Sequence, residues 1–309
     1  MSESERIIRQ QKTALVTGCS SGIGYNLVLE LASRGYKVFA SSRRVDEMKP
    51  LEEQYPKNVV IFKMDVSSLN SIQEGYQFVK EQLSKSQTTD SPKLDLLYNN
   101  AGQPCTFPAI DVPDQALLDT MNVNVTAPIR VTKIFSSLVI NAKGTIAFTG
   151  SVAALTPLPW CSVYSASKAA LAAYCSTLAF EMEPFDVKVA HVTTGGIVTA
   201  FSDVRPIPKD SLYLSTEEGV QCFEYRKKML TNLNGTAADK YCRSVVNKIE
   251  KISGSTFNIY EGSMSWVGPI ANRVLPRFII LAAFKAKFKL DALWDSLRRK
   301  YSYENKKQT

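Results

Sequence analysis

Histidine is almost missing from this chain, which has one in 309 residues. That residue, His191, lies in the apolar stretch 187–192, whose composition is typical of a buried strand, so we expect it to pack in the core. A hydrolytic triad or an imidazole-based zinc site would have to use this one side chain. The chain offers little support for either kind of site.

The cysteines are few and scattered. None belongs to a C-x-x-C pair, and their spacing does not match that of metal ligands, so we predict no bound metal. The N-terminus is polar and lacks the apolar segment of a secretory signal. We therefore expect reduced thiols in a protein exposed to the cytosol. The cysteines are Cys19, Cys105, Cys161, Cys175, Cys222 and Cys242.

The chain also lacks long apolar runs, and its charge is distributed unevenly. Residues 273–309 hold ten Lys/Arg and three Asp/Glu, a net charge of +7 in a chain of net charge +8. The uncharged run 278–284 is seven residues long, far short of the roughly 20 that span a membrane. An apolar face flanked by lysines is typical of a helix in a lipid interface, so we predict a basic amphipathic tail at residues 263–309. A helix packed on the body and a dimer contact are the alternatives, and nucleic acid binding is not expected because no recognisable module accompanies the charge.

A glycine-rich turn follows the first apolar run. Residues 13–17 are typical of a buried parallel strand, and a helical pattern runs from about residue 23 to residue 34. Glycines let the backbone approach a pyrophosphate, which the free N–H groups of the helix N-terminus would hold. The spacing G-x-x-x-G-x-G departs from the ordinary G-x-G-x-x-G fingerprint. The predicted phosphate-binding residues are Gly18, Ser20, Ser21, Gly22, Ile23 and Gly24.

The end of the second apolar run lacks an acidic residue. NAD-binding proteins usually place a carboxylate there for the adenosine ribose hydroxyls, but none occurs here before Asp46. Ser42, Arg43 and Arg44 take its place. A guanidinium matches a phosphate in charge and in forked geometry. The sequence therefore predicts NADPH as the cofactor.

Tyr164 and Lys168 are four residues apart, and Ser151 lies thirteen positions before the tyrosine. On a helix, this spacing puts the tyrosine and the lysine on one face. A nearby ammonium favours the phenolate, so we expect Lys168 to lower the pKa of Tyr164. The phenol would then donate and accept protons near neutral pH.

Seven apolar runs alternate with helical patterns along the chain. This alternation predicts an α/β fold with a doubly wound parallel sheet, helices on both faces and ligands at the carboxyl ends of the strands. We expect a single domain of residues 1–262 followed by the tail. The predicted strands are residues 13–17, 36–41, 59–64, 94–99, 145–150, 187–193 and 256–260.

Four motifs in their order and spacing resemble those of the short-chain dehydrogenase/reductase family. The resemblance covers about residues 12–262 and implies a Rossmann-type, NADP-binding oxidoreductase. The motifs are Thr17-Gly18-x-x-x-Gly22-x-Gly24, Asn99-Asn100-Ala101-Gly102, Ser151 and Tyr164-x-x-x-Lys168.

The resemblance implies a role for each catalytic residue. Tyr164 is the expected general acid in the reducing direction, and Ser151 would hydrogen-bond the substrate carbonyl. Lys168 would lower the tyrosine pKa and bind the nicotinamide ribose. Asn124 matches the asparagine that positions a water near the lysine, with Asn122 as a rival.

Further cofactor contacts are implied by the resemblance at the ends of other strands. The family usually has a proline where this chain has Thr194, which leaves the stiffness of the following loop open. The remaining cofactor-binding residues are Asp65 and Val66 at the adenine, Asn99, Ala101 and Gly102 at the riboses, and Gly195, Ile197 and Thr199 at the nicotinamide and pyrophosphate.

The substrate is predicted less directly. Residues 200–238 carry Arg205, Lys209 and the run 226–228, cations that suit a phosphate or a solvated loop face. Segments 94–109, 163–170 and 287–291 resemble an NADPH-dependent branch of the family that reduces an acylated, phosphorylated ketone in glycerolipid synthesis. Such an enzyme would work at the cytosolic face of the endoplasmic reticulum or of lipid droplets, with the mitochondrial outer membrane as a third option.

Two other functions stay open, and so does a homo-oligomeric state. The ketone could belong to another lipophilic compound, such as a steroid or a retinoid. In addition, residues 18–22 spell G-x-S-x-G, the nucleophile elbow of serine esterases and lipases, with Ser20 as nucleophile and His191 as its base.

Overall fold

Nine strands and eleven α-helices alternate along the part of the chain that the computed structural model describes, residues 11–88, 90–231, 235–253 and 257–308. The strands are β1 Thr13–Thr17, β2 Lys37–Ser42, β3 Val59–Lys63, β4 Leu96–Asn99, β5 Thr145–Thr149, β6 Lys188–Thr194, β7 Ile197–Val198, β8 Thr236–Ala237 and β9 Asn258–Glu261. The helices are α1 Gly22–Ser33, α2 Lys49–Gln54, α3 Leu69–Gln87, α4 Asp114–Met121, α5 Ala127–Ala142, α6 Ser162–Met182, α7 Glu217–Thr231, α8 Ala238–Glu250, α9 Val267–Val274, α10 Arg277–Lys287 and α11 Leu290–Gln308.

Seven strands form one parallel sheet in the order β3-β2-β1-β4-β5-β6-β9. The order reverses between β1 and β4, which opens a crevice at the carboxyl ends of these strands. The prediction of a doubly wound Rossmann-type sheet is confirmed, and the strand ends differ by one or two residues from those expected. Residue 256, the start of the last predicted strand, lies outside the described residues.

A second, two-stranded sheet was not predicted. It pairs β7 with β8 in parallel, Ile197 opposite Thr236 and Val198 opposite Ala237. Strands of two residues are too short for the alternation of apolar and polar side chains that identifies a strand in sequence. This pairing joins the loop after β6 to the start of α8.

Two apolar cores lie on opposite faces of the sheet. On one face, Leu27 and Val28 of α1 pack in a cluster with Val245 and Val246 of α8. On the other face, the cluster is formed by helices α3, α5 and α6, with Phe135 as a fully buried member. Because both faces are covered, the strands are apolar on both sides, as expected for a parallel sheet.

One helical stretch, Asp114–Ala142, has the length and composition of a membrane-spanning helix, with a mean hydropathy of 1.2 over its most apolar window. Its apolar side chains Val131, Phe135, Leu138 and Val139 are buried in the second core. Packing against the sheet accounts for this composition.

The predicted tail divides into a packed part and an exposed part. Phe288, Leu290 and Leu293 are buried against Trp160 and Phe223 of the body. Helix α9 and the first turns of α10 instead carry exposed large apolar residues. One of the two alternatives, a helix packed on the body, therefore describes the contacts of α11.

Replacing Leu293 by alanine should lower the free energy of unfolding by about 2–4 kcal/mol, because it leaves a cavity beneath α11. Leu293 is 0% exposed, and urea unfolding would measure the loss. Leu281→Ala is the matched control on α10, where the side chain is 38% exposed. Equal losses in the two variants would contradict the packing of α11 on the body.

Candidate active site

Tyr164, Lys168 and Ser151 come together above the carboxyl ends of β4 and β5. The tyrosine and the lysine lie one turn apart near the start of α6, and the lysine Nζ lies 5.9 Å from the centre of the phenol ring. Ser151 follows β5 and caps a short 3₁₀ turn, since its Oγ accepts a hydrogen bond from Ala153 N at 3.1 Å. The Ser151 hydroxyl lies close enough to that of Tyr164 to act on its ionisation.

Tyr164 is half-buried, and its acidity differs from the expectation. Loss of contact with water raises the pKa of Tyr164 to about 12, although the neighbouring Ser151 hydroxyl acts in the opposite direction. The prediction that the Lys168 ammonium lowers the pKa of Tyr164 is therefore wrong for this structure. The reason is that removing the phenol from water disfavours the phenolate more than its neighbours favour it. The side chain is therefore a neutral phenol, suited to donate a proton.

Lys168 directs its ammonium to the backbone. Nζ donates to Thr149 O at 2.8 Å, and the residue is 3% exposed. Burial lowers the pKa of Lys168 to about 8. The ammonium thus lies beneath the phenol and loses its charge just above neutral pH.

Asn124 lies in a π-helical turn, Asn122–Thr126, between α4 and α5. Its Nδ2 donates to Ser167 Oγ and to Gln103 O, both at 3.0 Å, and its Oδ1 accepts from Gln103 N at 2.9 Å. A Cβ atom at Gly102 would lie 3.4 Å from Asn124 Oδ1 and 3.6 Å from Lys168 Nζ. Asn124 is therefore adjacent to the lysine, and π-helical turns frequently occur at functional sites.

Asn122, the rival for this role, points to another loop. Its Nδ2 donates to Ser67 O at 3.2 Å, in the segment that follows β3. Of the two asparagines, the structure brings Asn124 and not Asn122 to the lysine.

The glycine turn has the shape that a pyrophosphate needs. Gly18 has φ +73°, and a Cβ there would lie 2.8 Å from Ala101 Cα. A Cβ at Gly24 would clash with Gly18 O. Helix α1 begins at Gly22, and Ser21, which precedes it, makes no capping hydrogen bond with its side chain. The N–H groups of the first turn are left for a phosphate, so the residues present fit a dinucleotide.

The end of β2 carries positive and not negative side chains. Ser42 is buried, and its Oγ accepts from Arg44 N at 3.2 Å. Arg44 reaches back to the glycine turn, where Nη2 donates to Ser20 Oγ at 3.0 Å, and Arg43 is exposed. The nearest acidic residue along the chain, Asp46, is held by Lys49 at 2.6 Å. This edge therefore fits a phosphate on the adenosine ribose better than free ribose hydroxyls.

A small cavity joins three of the predicted adenosine contacts. Val66, Asn99 and Ala101 line it together, with Val123 on a further side. Asn99 donates through Nδ2 to Thr132 Oγ1 at 3.2 Å, and its Oδ1 is buried with no partner among the described residues. Asp65 instead folds onto its own turn, where Oδ1 accepts from the backbone and hydroxyl of Ser67.

The loop after β6 closes over the glycine turn. A Cβ at Gly22 would lie 3.4 Å from Thr199 Cγ2, and Ile197 is held in β7. Gly195 leaves no room for a side chain, since a Cβ there would clash with Ser263 O. Thr194, where the family has proline, bonds through Oγ1 to the hydroxyl of Tyr241 at 2.7 Å. The threonine thus ties this loop to α8.

Asn100 belongs to the motif Asn99-Asn100-Ala101-Gly102 and has no predicted role, but the structure shows one. Its Nδ2 donates to Thr17 O at 3.0 Å and to Gly18 O at 3.2 Å, and its Oδ1 accepts from Thr149 Oγ1 at 3.1 Å. Asn100 therefore holds the ends of β1, β4 and β5 together, which positions the glycine turn and the carbonyl that Lys168 uses. The sequence could have indicated this role, because Asn100 places a side-chain amide between two strand ends.

Comparison with known proteins places this geometry in a family. The profile described as short chain dehydrogenase matches residues 12–207. The chain belongs to the short-chain dehydrogenase family. It is therefore an oxidoreductase with the Rossmann-type fold described above.

Two fungal relatives of this short-chain dehydrogenase are named NADPH-dependent 1-acyldihydroxyacetone phosphate reductase. The Saccharomyces cerevisiae protein is 38% identical over 96% of this chain and 98% of its own length. The Schizosaccharomyces pombe protein is 36% identical over 72% of each.

Solved structures share the fold. A short-chain dehydrogenase from Streptomyces avermitilis has a TM-score of 0.71 at 21% identity, covering 94% of this chain and 97% of its own. A Burkholderia cenocepacia short-chain dehydrogenase in complex with NADP has a TM-score of 0.67 at 23% identity, covering 90% and 98%. At this identity the likeness concerns the fold.

The alternative esterase site is not assembled in this short-chain dehydrogenase. Ser20 Oγ accepts a hydrogen bond from Arg44, whereas His191 Nδ1 lies 3.2 Å from Asn258 Oδ1. The imidazole stacks on Phe257, and burial lowers the pKa of His191. His191 is a packed core residue, as expected, and no contact in the described part of the chain links it to the serine.

Carbonyl reduction by this enzyme should slow as the pH rises through about 8, where Lys168 loses its charge. Because burial lowers this pKa, the charged form is present below pH 8 and is lost above it, well before an exposed lysine would titrate. We expect kcat to fall by about tenfold per pH unit above that point. Stopped-flow measurement of the reduction step across pH would show it.

Lys168→Arg is the control for this profile, because a guanidinium stays charged. Its rate will be lower, but the decline near pH 8 should vanish. A decline at the same pH in both proteins would assign it to another group.

Proposed function

We propose that this protein uses NADPH to reduce the ketone of 1-acyldihydroxyacetone phosphate to 1-acylglycerol 3-phosphate, a step in glycerolipid synthesis. The observation that carries the substrate is the likeness to the Saccharomyces cerevisiae reductase, which extends over 96% of the chain and so includes the tail. The chemistry rests on the neighbouring hydroxyls of Ser151 and Tyr164, with Lys168 Nζ 5.9 Å from the centre of the phenol ring.

NADPH is supported by the donors at the end of β2. The exposed Arg43 offers charge to the phosphate on the adenosine ribose. Ser42 lies at the same edge with Arg44, which donates to Ser20 and pairs with Glu47 at 3.1 Å. The glycine turn and the start of α1 would hold the pyrophosphate, while Lys168 and the loop carrying Ile197 and Thr199 would hold the nicotinamide half.

The residues around Tyr164 divide the work of reduction. NADPH, when bound, supplies a hydride to the carbonyl carbon. Ser151 and Tyr164 donate hydrogen bonds to the carbonyl oxygen and stabilise the negative charge that develops there. Tyr164 then releases its proton to that oxygen, which completes the alcohol. The Lys168 ammonium stabilises the phenolate left behind, and Asn124 keeps the lysine in place.

An apolar wall beside Tyr164 supports an acylated substrate. The tyrosine packs with Phe107, Val163 and Ile207, and its ring centre lies 6.0 Å from that of Phe201. Ile207 also packs in the cluster formed by Trp160, α7 and the tail. An acyl chain leaving the ketone would find apolar side chains in this direction.

Tyr164→Phe should lower the rate of ketone reduction by at least about 10²-fold, because the proton donor is removed. NADPH oxidation with 1-acyldihydroxyacetone phosphate would measure the rate, and NADPH fluorescence would show that the cofactor still binds. Tyr174→Phe is the control, a half-buried tyrosine on the same helix whose ring contacts Phe148. Similar activity in the two variants would remove Tyr164 from the mechanism.

The substrate is tested with the unchanged enzyme. We expect the acylated phosphate ketone to be reduced with a higher kcat/KM than dihydroxyacetone phosphate, a steroid ketone or retinal. Preference for a steroid or retinal would assign the enzyme to another lipophilic ketone.

We also propose that the exposed part of the tail binds a lipid surface, at the endoplasmic reticulum or at lipid droplets. Its large apolar residues are widely exposed along α9 and at the start of α10: Trp266 60%, Ile270 53%, Val274 70% and Phe278 72%. Arg273, Arg277 and Lys287 are exposed beside them. Side chains of this kind suit an interface with anionic headgroups.

This surface lies next to the catalytic serine. Asn272 of α9 donates through Nδ2 to Leu155 O, four residues after Ser151. Leu155 itself is 47% exposed. A protein that rests on lipid with α9 and α10 would bring its substrate entrance close to the membrane, where an acylated ketone resides.

The double variant Trp266→Ser with Phe278→Ser should bind vesicles of phosphatidylcholine and phosphatidylserine at least about tenfold more weakly, because two large apolar side chains no longer insert. Vesicle co-sedimentation measures this. Phe180→Ser is the control, with a side chain 77% exposed on α6. Unchanged binding of the double variant would contradict the proposal. Truncation is a poorer test, since it would uncover the core beneath Phe288 and Leu293.

A further inference from the structure

Arg226 on α7 is a buried cation with no counter-charge among the described side chains. The residue is 4% exposed. Nε donates to Pro159 O at 3.4 Å, Nη2 donates to Cys161 Sγ at 3.2 Å, and the guanidinium lies 5.5 Å from the ring centre of Phe288. In the described ranges, no carboxylate lies within ion-pair distance of it.

Such an arrangement is costly for a protein to maintain. A guanidinium removed from water loses a large free energy of hydration. Contacts with a carbonyl, a thiol and an aromatic ring compensate for only part of that loss. A side chain whose only role is to hold neutral hydrogen-bond acceptors in place rarely needs a full charge. An anion at this site would supply the missing compensation, with the forked geometry that arginine offers to phosphates.

The position of Arg226 relates it to the reacting centre. Cys161, which accepts its hydrogen bond, directly precedes α6 and lies three residues before Tyr164. Residues three apart on a helix share a face. The Cys161 thiol is also close enough to influence the ionisation of the phenol. Arg226 thus lies about one helical turn from the proton donor.

The turn between the two acceptors has an unusual backbone. Trp160 has φ +63°, a conformation that bulky residues rarely adopt and that is often found where a ligand is held. Its indole N–H is buried and has no acceptor among the described residues. Arg226 bonds to the residue on each side of it. The residue between the two that Arg226 contacts thus carries a buried donor with no acceptor in the described part of the chain.

The other cations of this segment are less suited to an anion. Arg205 is already neutralised by Asp203, with Nε–Oδ1 at 2.8 Å and Nη2–Oδ2 at 2.7 Å. Lys209 is exposed to solvent. The side chains of Lys227 and Lys228 lie outside the described part of the structure.

We infer that Arg226 binds the phosphate group of the substrate and thereby selects phosphorylated ketones. The inference rests on the proposed function, whose substrate has one methylene and one ester oxygen between the carbonyl carbon and phosphorus. A phosphate must therefore lie close to the Tyr164 hydroxyl whenever the ketone does. Phe288 supports the guanidinium from the tail, so the C-terminal helices contribute to substrate selection.

The test compares kcat/KM for 1-acyldihydroxyacetone phosphate with that for the same ketone without phosphate. In Arg226→Met, the ratio of the two should fall by about 50-fold, the worth of a charge-assisted bidentate contact. Arg205→Met removes a neighbouring cation that already has its partner, and should keep the wild-type ratio. Arg226→Lys keeps the charge without the fork, and should show an intermediate ratio.

Three outcomes would overturn the inference. If both substrates slow equally in Arg226→Met, the arginine only holds the Trp160 turn. If the ratio falls in Arg205→Met instead, the phosphate is bound by Arg205. If the wild-type enzyme prefers the phosphate-free ketone, the proposed function fails together with the inference. The first two outcomes overturn the inference alone, so the two failures can be distinguished.

Inhibition by inorganic phosphate gives a second readout that does not need the methionine variant to fold. Against the phosphorylated substrate, the inhibition constant should rise by about fivefold from wild type to Arg226→Lys, since a point charge replaces a fork. An equal constant in the two proteins would contradict phosphate binding at this residue.

Discussion

The site depends on a buried ammonium held under a half-buried phenol. Lys168 Nζ bonds to Thr149 O, and that carbonyl belongs to a strand end that Asn100 ties to the glycine turn. The same constraint therefore fixes the proton donor, its charged neighbour and the phosphate cradle at one edge of the sheet. Lys168 remains charged at neutral pH because burial lowers its pKa no further than about 8.

Much of this could be predicted from the sequence, because its causes are local. Strands β1 to β6 and β9 are short apolar runs followed by turns, and each was found within two residues. The spacing of Tyr164 and Lys168 requires only the period of a helix. Glycines 18 and 24 are needed because backbone approaches backbone there, which the clashes of an added Cβ show directly, and Gly22 is needed for its φ of +59°.

The features that the sequence did not predict depend on contacts between residues that are far apart in the chain. The pKa of Tyr164 is set by burial from several elements, so the adjacent lysine suggested the wrong direction. The roles of Asn100 and Thr194 arise from partners on other elements, Thr17 for one and Tyr241 for the other. Amphipathic character alone could not divide the tail, because what packs against each part depends on residues distant in sequence, such as Trp160 and Phe223.

The central claim is that Tyr164 is a protonated acid whose pKa lies above that of a free phenol. Nuclear magnetic resonance of the enzyme labelled with ¹³C at tyrosine Cζ tests it most directly, with Tyr164→Phe to assign the signal. The account predicts a phenol signal that remains unchanged through neutral pH and titrates at about 12. A Tyr164 signal that titrates near pH 7 would contradict it, since the side chain would then be a phenolate under working conditions.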